Sequence, residues 1–594
     1  MSSDAIDYGN LDEGRDCNYW ELDRTLQFEA RRIYPDDEFE WADGVLSEFG
    51  AVLGHRMADT ADRIDEAGHE LRSFDKYGNR RNEVEYHPLV HEQEEIVYEQ
   101  FGVTHDAFHA PPDREEPVGL SHTLTMQALL SYVDSGFCCP VSMTTGAAIV
   151  LDKFDDGDLG EYFEGLTARN LEDHIEGAMF LTEEQGGSDV GANEVRAEST
   201  DEDGVYELYG EKWFCSNIDA EGALALARTP DAPEGTAGLS LFLVPRTKPS
   251  GEVNDSHFRR LKDKLGTISV PTGEIEFQGA EAYLVGEEQA GFKYMAEMMN
   301  FERLTNATGA IGVMGRALLE AKVRAANREA FGTPIEEYPL LRRDLVDMAV
   351  DYEAAVAFSF EAARVYDERE RTGEDESAAY QLMRLFVPIA KYKTARMAVD
   401  TTSYAMEILG GNGYVREHTT ERLLRDAQVL PIWEGPSNIL ALDVLRALNR
   451  ENAHEALLPY VREKLDAVDH PALEPIAAEV KSAFRDLQDA LGTLAVEDED
   501  YAQYHAKRLS DLLFDVVTAA LLLGEAQWQI DEEENGRKAL VARRFVATRF
   551  GDEDAYGVTS GNRSAMEDDV FASIVKYDTV NPASLVDAEA QASE

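Results

Sequence analysis

The sequence predicts an α+β protein: a helical part, a block of strands, then helices to the end, in separate layers. Two observations carry this. Apolar residues recur at three- and four-residue spacing on both sides of a central stretch whose period falls to two. The strands are grouped together and do not alternate with helices, which argues against a doubly wound sheet.

Taken in order, residues 1–16 read as a loose acidic tail, with Asp4, Asp7, Asp12, Glu13 and Asp16. Residues 17–173 read as an α-helical domain, on the spacing in Trp41-Ala-Asp-Gly-Val-Leu-Ser-Glu-Phe49 and Leu124-Thr-Met-Gln-Ala-Leu-Leu-Ser-Tyr132. Pro111, Pro112 and Pro117 mark a loop between them. Residues 174–285 form a central β domain, with strands over Val205–Tyr209, Leu239–Val244 and Gly273–Phe277 between Gly, Pro and Asp turns. Helical spacing returns in 286–450, a bundle domain. An additional helical region, 451–594, has its clearest helix over Leu509–Gln527 and ends in a polar tail from Gly551.

The chain has 594 residues, 55 basic and 116 acidic, so its formal charge is 55 − 116 = −61. The bases are 15 Lys against 40 Arg. Acid excess with few lysines looks like a halophilic cytoplasmic protein, whose carboxylate surface keeps it hydrated in concentrated salt. Global disorder is excluded, because 44% of the residues are hydrophobic and aromatics are spread throughout. The charge also disfavours non-specific binding to DNA or anionic membrane. Cys17, Cys138, Cys139 and Cys215 show neither a disulfide framework nor metal-ligand spacing, which fits a reducing cytoplasm. The N-terminus has no apolar signal region. The longest apolar run, near Val516–Leu523, is too short to span a bilayer.

Five segments carry chemistry. In Arg425-Asp-Ala-Gln-Val-Leu-Pro-Ile-Trp-Glu-Gly-Pro-Ser-Asn438, the lone carboxylate Glu434 sits between an indole and a glycine. An apolar setting raises a carboxyl pKa and suits it to take a proton from carbon. In Met179-Phe-Leu-Thr-Glu-Glu-Gln-Gly-Gly-Ser-Asp189, Thr182 and Ser188 offer hydroxyls, and Gly186 and Gly187 let backbone approach a planar or phosphorylated ligand. Lys212-Trp-Phe-Cys-Ser-Asn217 places an aromatic pair and a hydroxyl after a strand. In Arg328-Glu-Ala-Phe-Gly-Thr-Pro-Ile335, an arginine at a helix end suits a phosphate. In Met406-Glu-Ile-Leu-Gly-Gly-Asn-Gly-Tyr414, three glycines end a helix and would expose N–H groups to a pyrophosphate. Taken singly, the last four are also compatible with ordinary turns, core strands and helix ends.

Together and in this order they resemble the acyl-CoA dehydrogenase superfamily over about residues 120–450. Tyr86-His-Pro88, Cys139-Pro-Val-Ser-Met-Thr144, Leu261-Lys-Asp-Lys-Leu-Gly266 and Trp433-Glu-Gly435 look like its AidB-like branch, flavoproteins of the adaptive response to alkylation. The long region after 450 fits that branch too. The resemblance implies FAD on the β domain, beside Met179, Leu181, Thr182, Phe214 and Ser216. Gly187 and Ser188 would face the flavin pyrophosphate or the substrate. Arg328, Phe331, Glu407, Gly410 and Gly411 would reach the FAD of a neighbouring subunit in a homotetramer, and Asn438 would touch FAD. It makes Glu434 the α-proton base of an acyl-CoA dehydrogenation, with Arg303 and Gly435 at the acyl-thioester end, hydride transfer to flavin N5, and an electron-transfer flavoprotein as acceptor. The implied setting is fatty acid metabolism.

The chain departs from the family at three places. Pro436 stands where many members have Thr, Glu407 where Gln is common, and Tyr338-Pro339 where His-Gln is frequent. An acid at 407 near a pyrophosphate needs a partner, for which Arg328 is the candidate. Two other functions compete: a DNA-associated flavoprotein of alkylation defence with weak dehydrogenase activity, and an acyl-CoA-binding paralogue with little turnover. For DNA, Arg537, Lys538, Arg543, Arg544 and Arg549 would form a basic stripe. Local acids at Asp531–Glu534 and Glu567–Asp569 oppose it, and phosphate contacts weaken steeply with salt.

Overall fold

The computed structural model describes residues 5–373, 377–551, 558–559 and 564–585. By compactness the chain divides into two units, which differ from the five sequence regions. One comprises 56–309 with Trp433–Gly435; the other comprises 1–55, 310–432 and 436–594.

The first unit holds the sheet. After a hairpin of β1 (Glu70–Phe74) and β2 (Arg80–Glu85), seven strands follow: β3 (Gly177–Phe180), β4 (Arg196–Ser199), β5 (Val205–Ser216), β6 (Gly222–Arg228), β7 (Leu239–Val244), β8 (Ser256–Leu261) and β9 (Thr272–Leu284). Their pairings run in a ring, β6–β7–β9–β5–β4–β6, with β3 added parallel to β6 and β8 antiparallel to β9. β6 and β7 are buried on both faces, and Leu224, Leu226, Leu241 and Leu243 are fully enclosed. That is why these two strands read as apolar runs without alternation. Helix Cys138–Phe154 packs on β3, and Thr144 Oγ1 accepts from the backbone N–H of Gly177 at 2.9 Å.

The β1–β2 hairpin corrects the expectation of an all-helical domain over 17–173. Its strands are short and charged, so they lack an apolar period. The turn is fixed instead by Asp75, whose carboxylate accepts from the N–H groups of Tyr77 and Asn79, and by Gly78 at φ +84°.

In the second unit, long helices Pro339–Thr372, Ala378–Leu409, Ser437–Arg450 and Glu499–Glu533 pack side by side, joined by Arg537–Phe550. Their ends follow local chemistry: Ser377 and Asp498 cap N-termini, and Gly373 closes a C-terminus in the left-handed conformation. The described part of the expected loose tail is docked, not loose. Tyr8 is buried, Asn327 Nδ2 donates to the carbonyls of Tyr8 and Leu11, and Ile6 N–H donates to Lys576 O. One buried aromatic outweighs the acids around it. Of the polar C-terminal segment, helix Asp568–Lys576 is described; residues 552–557, 560–563 and 586–594 of it lie outside the described residues. Among the described residues no helix is long and apolar enough to cross a membrane.

Candidate functional site

Trp433, Glu434 and Gly435 belong to the first unit although the segments on either side of them do not. Glu434 lies at φ +53°, followed by Gly435 at φ +105°. A left-handed Glu costs of order 1–3 kcal/mol and persists only where its surroundings hold it. Arg303 supplies part of that hold: its Nε donates to the Glu434 carbonyl at 3.2 Å, from helix Gly291–Asn327. Glu434 itself is half-buried. The expected residues Glu434, Gly435 and Arg303 are thus brought together.

Glu302, beside Arg303, was not anticipated. It is 5% exposed, and its Oε2 accepts from Ser142 Oγ at 2.8 Å. Burial, and then the charge of Glu434, pushes its carboxyl well above the ordinary carboxylate range, against the lowering effect of the Ser142 hydroxyl. The same place holds Cys139, whose thiol is raised by burial and by Glu302 and Glu434, with Lys264 opposing. The signal in the sequence was an acid directly preceding Arg303 in a helical stretch.

The residues expected at the flavin edge also come together. Leu181 and Thr182 follow β3, while Phe214 and Ser216 end β5. Trp213 N–H donates to Thr182 O at 2.9 Å. Beneath them Lys212 and Glu183, both buried, pair at 2.8 Å, and Glu183 also accepts from the N–H groups of Glu194 and Val195. This pair ties the Thr-Glu segment to the Lys-Trp-Phe segment, so the two motifs depend on each other. Gly187 fits against Thr182, since a Cβ there would lie 2.6 Å from Oγ1. Gly186 is at φ +120° with open space beside it. Phe214 is 53% exposed, Met179 and Ser216 are half-buried and Ser188 is exposed. An uncovered ring flanked by hydroxyls and a glycine turn fits a flat heteroaromatic group such as a flavin. Ser216 Oγ lies 3.1 Å from Thr272 Oγ1, which accepts from Lys264 Nζ at 3.2 Å, so the edge is linked to the lysine acting on Cys139.

The remaining expected cofactor residues lie in the second unit. Phe331 is fully exposed in the tight turn between Glu329–Ala330 and Thr333–Pro334. Arg328 and Glu407 are exposed. A Cβ on Gly410 would meet Arg328 Nη1 at 3.7 Å, and around Gly411 there is open space. Arg328 is therefore at the glycine turn, but it is not in an ion pair with Glu407. Asn438 is exposed in the first turn of Ser437–Arg450.

The basic stripe does not form. Arg537 and Lys538 are buried, Arg537 paired with Glu353, and Lys538 with Glu353 at 3.0 Å and Glu525 at 2.8 Å. Arg544 pairs with Asp347 at 2.7 Å and Arg549 with Asp351 at 2.7 Å; Arg543 is half-buried. Acids on helices distant in sequence consume the charges that the helical spacing displays.

Residues 11–173 match the adaptive response protein AidB N-terminal domain, 178–280 the acyl-CoA dehydrogenase middle domain, 289–449 the acyl-CoA dehydrogenase C-terminal domain, and 452–570 the acyl-CoA dehydrogenase 11 C-terminal domain-like family. The chain is 32% identical to acyl-CoA dehydrogenase family member 11 of Caenorhabditis elegans, over 85% of this chain and 83% of that protein. It is 34% identical to the putative acyl-CoA dehydrogenase AidB of Escherichia coli, over 69% and 75%. The crystal structure of Caenorhabditis elegans ACDH-11 in complex with C11-CoA superposes with a TM-score of 0.84 at 28% identity, covering 94% of this chain and 95% of that one. The chain belongs to the acyl-CoA dehydrogenase family of FAD-dependent oxidoreductases, in its AidB-like branch.

Proposed function

We propose that this protein dehydrogenates an acyl-CoA thioester between Cα and Cβ, with Glu434 as the base that takes the α proton. The observation carrying this is the placement of Glu434 on a strained left-handed turn held by Arg303. Arg303 fixes the turn through the Glu434 carbonyl, and the carboxylate takes the proton from the substrate carbon. A backbone N–H of the same turn donates to the thioester carbonyl, stabilising the negative charge that develops as the proton leaves. FAD bound there would supply the acceptor for the β hydride. Met179, Leu181, Thr182, Phe214 and Ser216 hold the ring system, while Gly187 and Ser188 offer backbone and hydroxyl to its phosphates or to the substrate. Loss of one proton and one hydride leaves a Cα=Cβ double bond.

Arg328, Phe331, Glu407, Gly410 and Gly411, exposed in the second unit, serve the FAD of a neighbouring copy in a homotetramer, and Asn438 contacts FAD. An electron-transfer flavoprotein takes the electrons onward. The relative solved with C11-CoA supports a fatty acyl thioester as substrate. The charge of −61 suits cytoplasm rich in salt. DNA binding is the weaker reading, because four of the five cations invoked for it are held by acids.

The test is an anaerobic titration of the FAD-loaded protein, in concentrated potassium chloride, with acyl-CoA thioesters of graded length. Bleaching of the flavin absorbance by one class names the substrate. No bleaching by any thioester contradicts the reading.

A further inference from the structure

Glu302 is a buried acid without a cation. Among the described residues its carboxyl is in no ion pair, and its only hydrogen bond comes from Ser142 Oγ, which also lies 2.6 Å from Thr305 Oγ1. Its second oxygen, Oε1, is buried with no hydrogen-bond partner and faces Gly146, where a Cβ would lie 3.2 Å from it. The adjacent Arg303 does not neutralise it; that guanidinium is turned to the Glu434 carbonyl. The other titratable groups around it are Glu434, the Cys139 thiol on helix Cys138–Phe154, and Lys264, which acts on that thiol.

Two carboxyl groups sharing such a region do not both ionise readily. The more buried one keeps its proton. Glu302 is 5% exposed and Glu434 half-buried, so the ordering is set by geometry.

We propose that Glu302 is a positioning residue, a carboxyl that stays protonated and so keeps the single negative charge of the pair on Glu434. The inference rests on the reading of Glu434 as base. A neutral Glu302 leaves Glu434 ionised and ready to accept a proton. An ionised Glu302 would place a second negative charge beside it and oppose the charge developing on the thioester carbonyl. Turnover therefore falls on the alkaline side as Glu302 loses its proton, and on the acid side as Glu434 gains one. Burial also holds the Cys139 thiol well above its ordinary range.

The experiment is the pH dependence of kcat for the FAD-loaded protein and for Glu302→Gln, Ser142→Ala and Glu434→Gln. It is paired with infrared difference spectra of the carboxylic acid band at neutral pH. Glutamine mimics the protonated acid. E302Q is expected to lose the alkaline fall, keep the acid limb, lose one protonated-carboxyl band, and lose less activity than the roughly 10²-fold that removing a general base costs. S142A, which removes the hydrogen bond favouring the ionised form, is expected to move the alkaline fall to higher pH. It also serves as the test if E302Q does not fold. An alkaline fall that persists in E302Q, or that does not move in S142A, overturns the inference. So does an unchanged carboxyl band in E302Q. In each of these cases an inactive E434Q leaves Glu434 as the base. An active E434Q beside an inactive E302Q reverses the roles and overturns both readings.

Discussion

Around Arg537 and Lys538, the buried acids Glu353 and Glu525 each have a cation within ion-pair distance. Around Glu434, the buried acid Glu302 has only a serine hydroxyl. The consequences are opposite. Arg537 and Lys538 pull Glu353 down to about 2 against the effect of its burial, while burial and a like charge push Glu302 up. The first cluster joins parts of one unit far apart in sequence: Glu353 from Pro339–Thr372, Glu525 from Glu499–Glu533 and the two cations from Arg537–Phe550. In the second, on the proposed reading, a proton stays on Glu302 and the negative charge on Glu434. Glu353 and Glu302 thus differ in whether a cation is within reach, and their ionisation shifts in opposite directions.

The sharpest way to break that comparison is Glu434→Gln. Turnover with the best thioester is expected to fall by about 10²–10⁴-fold or more, with FAD still bound, as read by flavin bleaching and absorbance. Next comes Arg537→Met, which leaves Glu353 short of its main partner. Denaturant unfolding at fixed salt is expected to show a loss of about 3–5 kcal/mol, with no change in the pH profile of kcat. Because Glu353 is depressed in the folded protein, its contribution to stability is present above its unfolded value and is lost as pH falls through about 2. In Arg537→Met that acid loss should begin at higher pH.

A smaller effect is expected from Glu176→Gln. Glu176 accepts from Tyr98 Oη at 2.9 Å and Asn217 Nδ2 at 2.9 Å and has no cation. Burial, then Glu94, raises it to about 8. A raised acid gives stability that is present below its unfolded value of about 4.3 and is lost as pH rises through the folded value. Thermal melts of the wild type should therefore decline between about pH 4.3 and about 8, and E176Q should flatten that decline. The smallest effect belongs to Arg544→Gln, whose partly exposed pair with Asp347 is worth within about 1 kcal/mol. Retention on immobilised DNA at low salt should be the same as in wild type; a clear drop would restore the stripe as an interface.

The layered helices and strands were legible in the sequence because period and turn residues are local properties. The glycine and hydroxyl segments were legible because a ligand that approaches backbone demands those residue types. Glu434 stood out as a lone acid among apolar neighbours. Other features depend on partners that no local pattern reveals. Glu302 is defined by Ser142, 160 positions away, and Glu183 by Lys212 across two strands. Arg537 and Lys538 have the spacing of an exposed stripe, and only the acids of other helices make them interior. The β1–β2 hairpin was missed because its strands offer few apolar residues, Leu71 and Phe74 in one and Val84 in the other, and the docking of the N-terminal segment because the groups that hold it, such as Asn327 and Lys576, are distant in sequence.

The most direct measurement of the central claim is exchange of the α proton. A thioester bound to the FAD-loaded protein in D₂O is followed by mass spectrometry or NMR in wild type, Glu434→Gln and Glu302→Gln. Deuterium should enter at Cα in wild type and in E302Q and should fail to enter in E434Q. Exchange in E434Q at the wild-type rate would contradict Glu434 as the base.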